Sequence, residues 1–277
     1  MQTRLTAGDA ELTIDPDNGC RIAGLRIGGT ELLRQGERYG SFPMAPWCGR
    51  VANGEFRDGA DKHQLPLNAP PHAIHGTVRD GAWRRAEADE RTAAFTYDLV
   101  APWPYAGRVT QTFELAEDTL TLRMGVETAG ESFPAQAGWH PWFNRVLDGP
   151  DGPSAPVRID FTAGWQEERG DDHLPTGRRI DPSPSSQLRS SRGYPIPGLW
   201  DDCFGMPGGV DVTLTWPERF EVKITSRDEW VVIYDEQEAA VCVEPQSGPP
   251  NGLNTHPRLV TLIDPLEITA TIAWRRL

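Results

Sequence analysis

Apolar and polar residues alternate with a period of two through much of the chain. Leu120, Leu122, Met124 and Val126 are apolar, with polar or small residues between them. Val222 and Ile224 flank Lys223, and Leu266, Ile268, Ala270, Ile272 and Trp274 alternate with Glu267, Thr269 and Thr271. Such segments turn one face toward a core and the other toward polar surroundings, as half-buried antiparallel strands do. No window carries a long, capped helical periodicity. The 28 Gly and 25 Pro supply the turns that many short strands need. The pattern predicts an all-β fold of two packed antiparallel sheets, with residues 1–277 forming one domain.

One region breaks the alternation. Residues 147–200 are rich in Pro, Gly, Ser and charge, with a single clear strand pattern at 157–161. The remainder is predicted to be long loops rimming a binding face. Asp15, Asp17 and Gly19 superficially suggest a calcium loop, but the ligand at the twelfth position and the flanking helices are missing, so a tight turn is expected. His72 and His75 follow Pro70-Pro71 in a non-helical stretch, which argues against a metal pair. There is no GxSxG elbow, no phosphate-cradling P-loop and no GxGxxG.

Composition narrows the partners. Lys and Arg number 27 against 40 Asp and Glu, a net charge of −13. That field repels nucleic-acid phosphates and anionic lipid, so neither is an expected partner. No stretch approaches the roughly 18 apolar residues that span a membrane. Cys20, Cys48, Cys203 and Cys242 are scattered without a CxxC pair, and the N-terminus lacks a signal-peptide pattern. Reduced, buried thiols in a cytoplasmic protein are expected.

Four clusters stand out: PWCGR with Arg50, IHG with His75, GWHPWFN with His140, and VEPQSGPPN with Glu244. Glu244 lies in the apolar run AAVCVEPQ, where a carboxylate is costly unless it is paired or has a task. Trp139, Pro141, Trp142 and Phe143 surround His140 with an aromatic surface suited to stacking on a sugar.

In this order, the clusters resemble the aldose 1-epimerase (galactose mutarotase) family. NGCRIAGLRIGGTELL, APWCGRVANGEF, HAIHGTVRDGAW, LPTG and DDCF extend the resemblance over nearly the whole chain. It implies a large antiparallel β-sandwich with the site on a concave sheet face, and interconversion of the α and β anomers of a sugar; the acidic net charge and the absence of an evident phosphate clamp point to a free aldohexose. By position, His140 matches the family's general acid and Glu244 its general base. Arg50 and His75 match its substrate-binding arginine and histidine. Asp201 matches the aspartate that binds sugar hydroxyls, with adjacent Asp202 as the alternative. Exchange of anomers requires no metal, nucleotide or other cofactor. Gly49, Thr77 and PWFN depart from the commoner Asn, Gly and YFN, which leaves the preferred sugar open.

Glu244 is expected to be ionised beside a partly protonated His140. Two other readings keep the fold: a C6-phosphorylated or sulfonated hexose held by Arg79, Arg84 and Arg85, or a sugar-binding protein without activity. A glycosidase using Asp201 and Glu244 leaves the His140 cluster unexplained.

Overall fold

The computed structural model describes residues 1–150, 152–182, 193–196, 198 and 200–277. The alternating segments form antiparallel strands in two large sheets. In the first, the strands Ser41–Met44, Gly138–Asn144, Ala240–Gln246, Trp230–Tyr234 and Asp201–Gly205 lie side by side. The N-terminal strands Thr3–Ala7, Ala10–Asp15 and Arg21–Ile27 flank them on one side, and the hairpin Trp165–Arg169/Pro175–Ile180 closes the other. The second sheet contains Gly107–Leu115, Thr119–Thr128, Leu266–Arg276, Phe220–Ser226 and Val210–Trp216 as its centre. The predicted alternation is borne out: Thr119–Thr128 buries Leu120, Leu122, Met124 and Val126, and Leu266–Arg276 buries every second residue from Leu266 to Trp274.

One contiguous apolar core takes side chains from both sheets, including Phe113 and Leu122 from the second and Trp139, Phe143, Val241 and Val243 from the first. A polar link crosses it. Buried Gln111, on the second sheet, accepts a hydrogen bond from Trp139 Nε1 at 2.7 Å and donates from Nε2 to the Cys20 carbonyl at 2.9 Å. Trp139 is the neighbour of His140, so this link fixes the strand that carries the histidine.

The 147–200 region is more structured than its sequence suggests. Beyond Arg158–Phe161 it contributes Trp165–Arg169 and Pro175–Ile180, which extend the first sheet as a paired hairpin. Pro175–Ile180 is mostly exposed along its length, so it has no apolar face to impose alternation. The part of the loop prediction that falls on 183–192, 197 and 199 lies outside the described residues. Asp15 to Arg21 is the tight turn expected between two paired strands.

Replacing Gln111 with Leu strands the Trp139 N–H and the Cys20 carbonyl in the core. Each buried unsatisfied group costs about 1–3 kcal/mol. Urea unfolding of Gln111→Leu should show a stability loss of about 2–4 kcal/mol, with the m-value unchanged.

Candidate functional site

Side chains alternate between sheet faces, so strand register decides what can meet. His140 lies opposite Phe42. Gly138 opposite Gln246 and Trp142 opposite Cys242 set His140 opposite Glu244. Glu244 faces Val232, which faces Cys203. The result is one row across five strands, Phe42–His140–Glu244–Val232–Cys203. A second row on the same face runs Trp142–Cys242–Tyr234–Asp201. The other face carries Trp139, Phe143, Val241, Val243 and Ile233 into the core.

Parity separates residues that are adjacent in sequence. Asp201 lines the cavity on the Glu244 face, whereas Asp202 pairs with Ile233 on the opposite face, where Gln166 Nε2 donates to it at 3.1 Å. It also divides the expected aromatic surface. Trp139 and Phe143 are core residues, so of the two Trp flanking His140 only Trp142 reaches the cavity. There it stacks on the His140 ring at 4.9 Å, with an interplanar angle of 16°. Phe42 lies 4.6 Å from the same ring, so the imidazole is held between two aromatic rings.

Arg50 and His75 arrive from outside the sheet. A two-stranded ribbon pairs Arg50–Val51 with Ala73–Ile74, and the His75 N–H donates to the Gly49 carbonyl at 3.0 Å. Asn251, from the VEPQSGPPN run, donates its N–H to the Arg50 carbonyl at 2.6 Å, and its Oδ1 accepts from the Ala52 N–H. The loop after Glu244 thus ties the Arg50 ribbon to the catalytic-looking strand. His75 itself has a left-handed φ of 62°, a conformation that non-glycine residues hold only under local constraint. Its ring meets His140 edge-on at 5.1 Å. Gly49, at φ 58°, packs against Pro250, leaving little room for a larger residue there.

All five predicted site residues line one cavity of about 280 Å³, together with Trp142, Tyr234 and His173. A larger cavity of about 750 Å³ opens near Gly28, Leu147, Pro217 and Arg276 and contains none of them. Converging titratable groups, rather than size, mark the smaller cavity.

At its centre, His140 Nε2 lies 3.2 Å from Glu244 Oε1, with both side chains buried. Burial pushes the Glu244 carboxyl well above the usual carboxylate range; Asp201 pushes the same way and Arg50 opposes. Burial lowers His140 to about 3; its own backbone hydrogen bond opposes this, while Arg79 and Arg21 add to it. His75 is likewise driven well down by burial, then by His140, Arg79 and Arg50. The expectation of ionised Glu244 beside protonated His140 is therefore corrected. Burial is the largest influence on each group and favours its neutral form. The total number of protons on the pair is the same in either arrangement.

The sequence did not mark the rim. Asp201 Oδ2 is 2.9 Å from Arg169 Nη1, 2.9 Å from His173 Nδ1 and 3.8 Å from Arg50 Nη1. Arg169 and His173 belong to the hairpin that was predicted as loop; the adjacent LPTG motif was its only signal. Among the arginines considered for a C6 anion, Arg84 pairs with Asp98 at 3.2 Å on the second sheet and Arg85 is exposed beside it. Arg79 pairs with Asp80 and lies over the Phe42 ring at 5.6 Å, outside the cavity lining. Cys20, Cys48, Cys203 and Cys242 are all free and buried, as expected. Among the described residues no helix is long and apolar enough to cross a membrane.

Residues 3–272 match the family model for aldose 1-epimerase. The chain is 28% identical over 205 residues to the uncharacterized protein YphB of Escherichia coli K12, covering 71% of this chain and 67% of that protein. It is 25% identical over 270 residues to uncharacterized YihR from the same organism, covering 91% and 85%. The fold agrees with a solved candidate aldose 1-epimerase from E. coli K12, with a TM-score of 0.85 and 22% identity over 100% and 99% of the two chains. It also agrees with the galactose 1-epimerase of Lactobacillus acidophilus NCFM, with a TM-score of 0.77 and 14% identity over 98% and 92%. At these identities the solved structures establish a shared galactose mutarotase-like fold.

NMR of the histidine ring nitrogens checks the electrostatics directly. His140 should gain no proton as the pH falls through 6.5, because its folded-state value lies near 3. A His140 titration centred near 6.5 contradicts this description of the site.

Proposed function

Because the chain belongs to the aldose 1-epimerase family, we propose that it is a mutarotase that interconverts the α and β anomers of a free aldohexose. The observation that carries this reading is the 3.2 Å contact between His140 Nε2 and Glu244 Oε1, both of which line the cavity that holds Arg50, His75 and Asp201. Residues 1–277 act as one domain in this proposal. Cytoplasmic residence belongs to it too, resting on four unpaired cysteines.

Ring opening removes the proton from the anomeric O1 hydroxyl and delivers one to ring oxygen O5. Glu244 takes the O1 proton, the C1–O1 bond becomes a carbonyl, and the C1–O5 electron pair leaves to O5 as His140 protonates it. The pair begins as carboxylate with imidazolium and ends as carboxylic acid with neutral imidazole. Its net charge is zero throughout. Rotation about C1–C2 presents the other carbonyl face. On closure, neutral His140 takes the O5 proton and Glu244 returns a proton to O1, which resets the pair without a separate step. No metal, nucleotide or covalent adduct enters this sequence.

The transfer needs an acid and a base a few ångströms apart, because O1 and O5 share one carbon. Burial favours the carboxylic acid–imidazole form, so reaching the reactive ion pair has a cost. Arg50 opposes the rise of Glu244 and so favours the carboxylate. Arg50, His75 and Asp201 are assigned to the sugar hydroxyls, with donors and acceptors suited to them. A neutral sugar suits this rim, because Arg169, His173 and Arg50 already meet the Asp201 carboxylate.

Polarimetry across free aldohexoses and their 6-phosphates tests the substrate: acceleration should be greatest for an uncharged sugar. Preference for a 6-phosphate overturns the free-sugar assignment. Glu244→Gln should lose about 10²-fold or more in rate, the scale of a positioned base; near-normal mutarotation removes Glu244 from this role.

The pH profile follows from the pair. Burial disfavours both the doubly protonated cation and the fully deprotonated anion, so the one-proton state persists over a wide range. The rate should hold a plateau between an acid and an alkaline limb. It should fall on the acid side well below 6.5 as the pair gains a second proton, and on the alkaline side above 4.5 by a wide margin as it loses its only one. A narrow bell centred near 6.5 is inconsistent with this pair.

A further inference from the structure

Cys242 has no part in the acid–base chemistry, yet it is fully buried on the same sheet face as Glu244, two residues away along the strand. It faces Trp142 across the strand pair, diagonal to His140. One ligand atom from each of His140, Cys242 and Glu244 falls within 4.8 Å of the other two. Packing alone accounts for a small buried thiol. It does not account for a thiol converging on an imidazole and a carboxylate that line a cavity.

We propose that His140, Cys242 and Glu244 form a binding site for a thiophilic divalent cation, best matched by Zn²⁺, and that its occupation switches catalysis off. The donor set is the mixed nitrogen, sulfur and oxygen type that suits Zn²⁺, whereas Mg²⁺ and Ca²⁺ take oxygen donors. Zinc bonds of about 2.0–2.3 Å place tetrahedral ligand atoms roughly 3.3–3.8 Å apart. The imidazole and carboxylate already meet at 3.2 Å, so only a modest inward movement of the thiolate completes three corners. The fourth position is left toward the cavity, where water or a sugar hydroxyl can fill it. The Cys242 S–H proton and the single proton of the His140–Glu244 pair leave to solvent as the metal binds, and there is no change in oxidation state. The imidazole lone pair and the carboxylate are then held by the metal and cannot exchange protons with O1 and O5.

Metal binding stands on the geometry alone; the inhibitory consequence rests on the proposed mutarotase activity. The two are measured separately. Co²⁺ added to the metal-free protein should produce a thiolate-to-metal charge-transfer band in the near ultraviolet, displaced by one equivalent of Zn²⁺. Cys242→Ala should lack that band, while Cys20, Cys48 and Cys203 remain in place. In polarimetry, Zn²⁺ should lower the wild-type rate at least tenfold, reversibly on chelation. Saturating aldohexose should weaken Zn²⁺ binding, because both use the same cavity. Cys242→Ala should mutarotate as the wild type does without zinc and lose most of its zinc sensitivity. Absence of the band in the wild type, or its persistence in Cys242→Ala, overturns the site, whatever the protein's activity proves to be. A band accompanied by unaltered mutarotation overturns the switch.

Discussion

A carboxylate lodged in the middle of a sheet face is tolerable only when its charge is neutralised or matched. Glu244 meets that condition through His140, 3.2 Å away on the neighbouring strand. Neither member tolerates the other's loss well: removing one leaves a buried polar group without its partner. The same desolvation that makes the pair expensive also fixes its proton count. A buried pair resists both a second proton and the loss of its only one, so it stays net neutral. Within that constraint the proton can sit on either partner, which is the property an acid–base exchange at one carbon requires.

The β-sheet supplies the precision. Register sets His140 opposite Glu244, with Phe42 beyond the histidine and Val232 beyond the glutamate. Phe42 and Trp142 hold the imidazole ring from two sides, and the Gln111–Trp139 hydrogen bond anchors the backbone beneath it. Chain segments far apart in sequence complete the cavity: the Arg50–Ile74 ribbon brings the cation and His75, and the 165–180 hairpin brings Arg169 and His173 to Asp201. Asn251 then fastens the ribbon to the loop that follows Glu244. Rigid strands position His140 and Glu244, and the less regular segments complete the cavity around them.

Much of this was legible in the sequence, for identifiable reasons. Strands that bury one face, such as Thr119–Thr128 and Leu266–Arg276, write their periodicity plainly. Pro175–Ile180 is largely exposed and pairs at the sheet edge, so nothing in its composition records the strand. Cluster order brought His140, Glu244, Arg50, His75 and Asp201 to notice, and the fold places them around one cavity. What a linear reading missed was direction. Only strand parity sends Asp201 to the cavity and Asp202 to the other face, or keeps Trp139 from the surface that Trp142 reaches. The protonation of the pair was also hidden, because proximity favours charge while burial opposes it, and only the folded environment gives the depth of burial.

In the proposed reaction the His140–Glu244 pair exchanges protons with O1 and O5 of one sugar. NMR saturation transfer between the α and β anomeric resonances of a free aldohexose measures that exchange at equilibrium. Transfer should be strong and enzyme-dependent for the free sugar and absent for its 1-O-methyl glycoside, which has no O1 proton to give. Binding of the free sugar without accelerated transfer contradicts the proposed reaction.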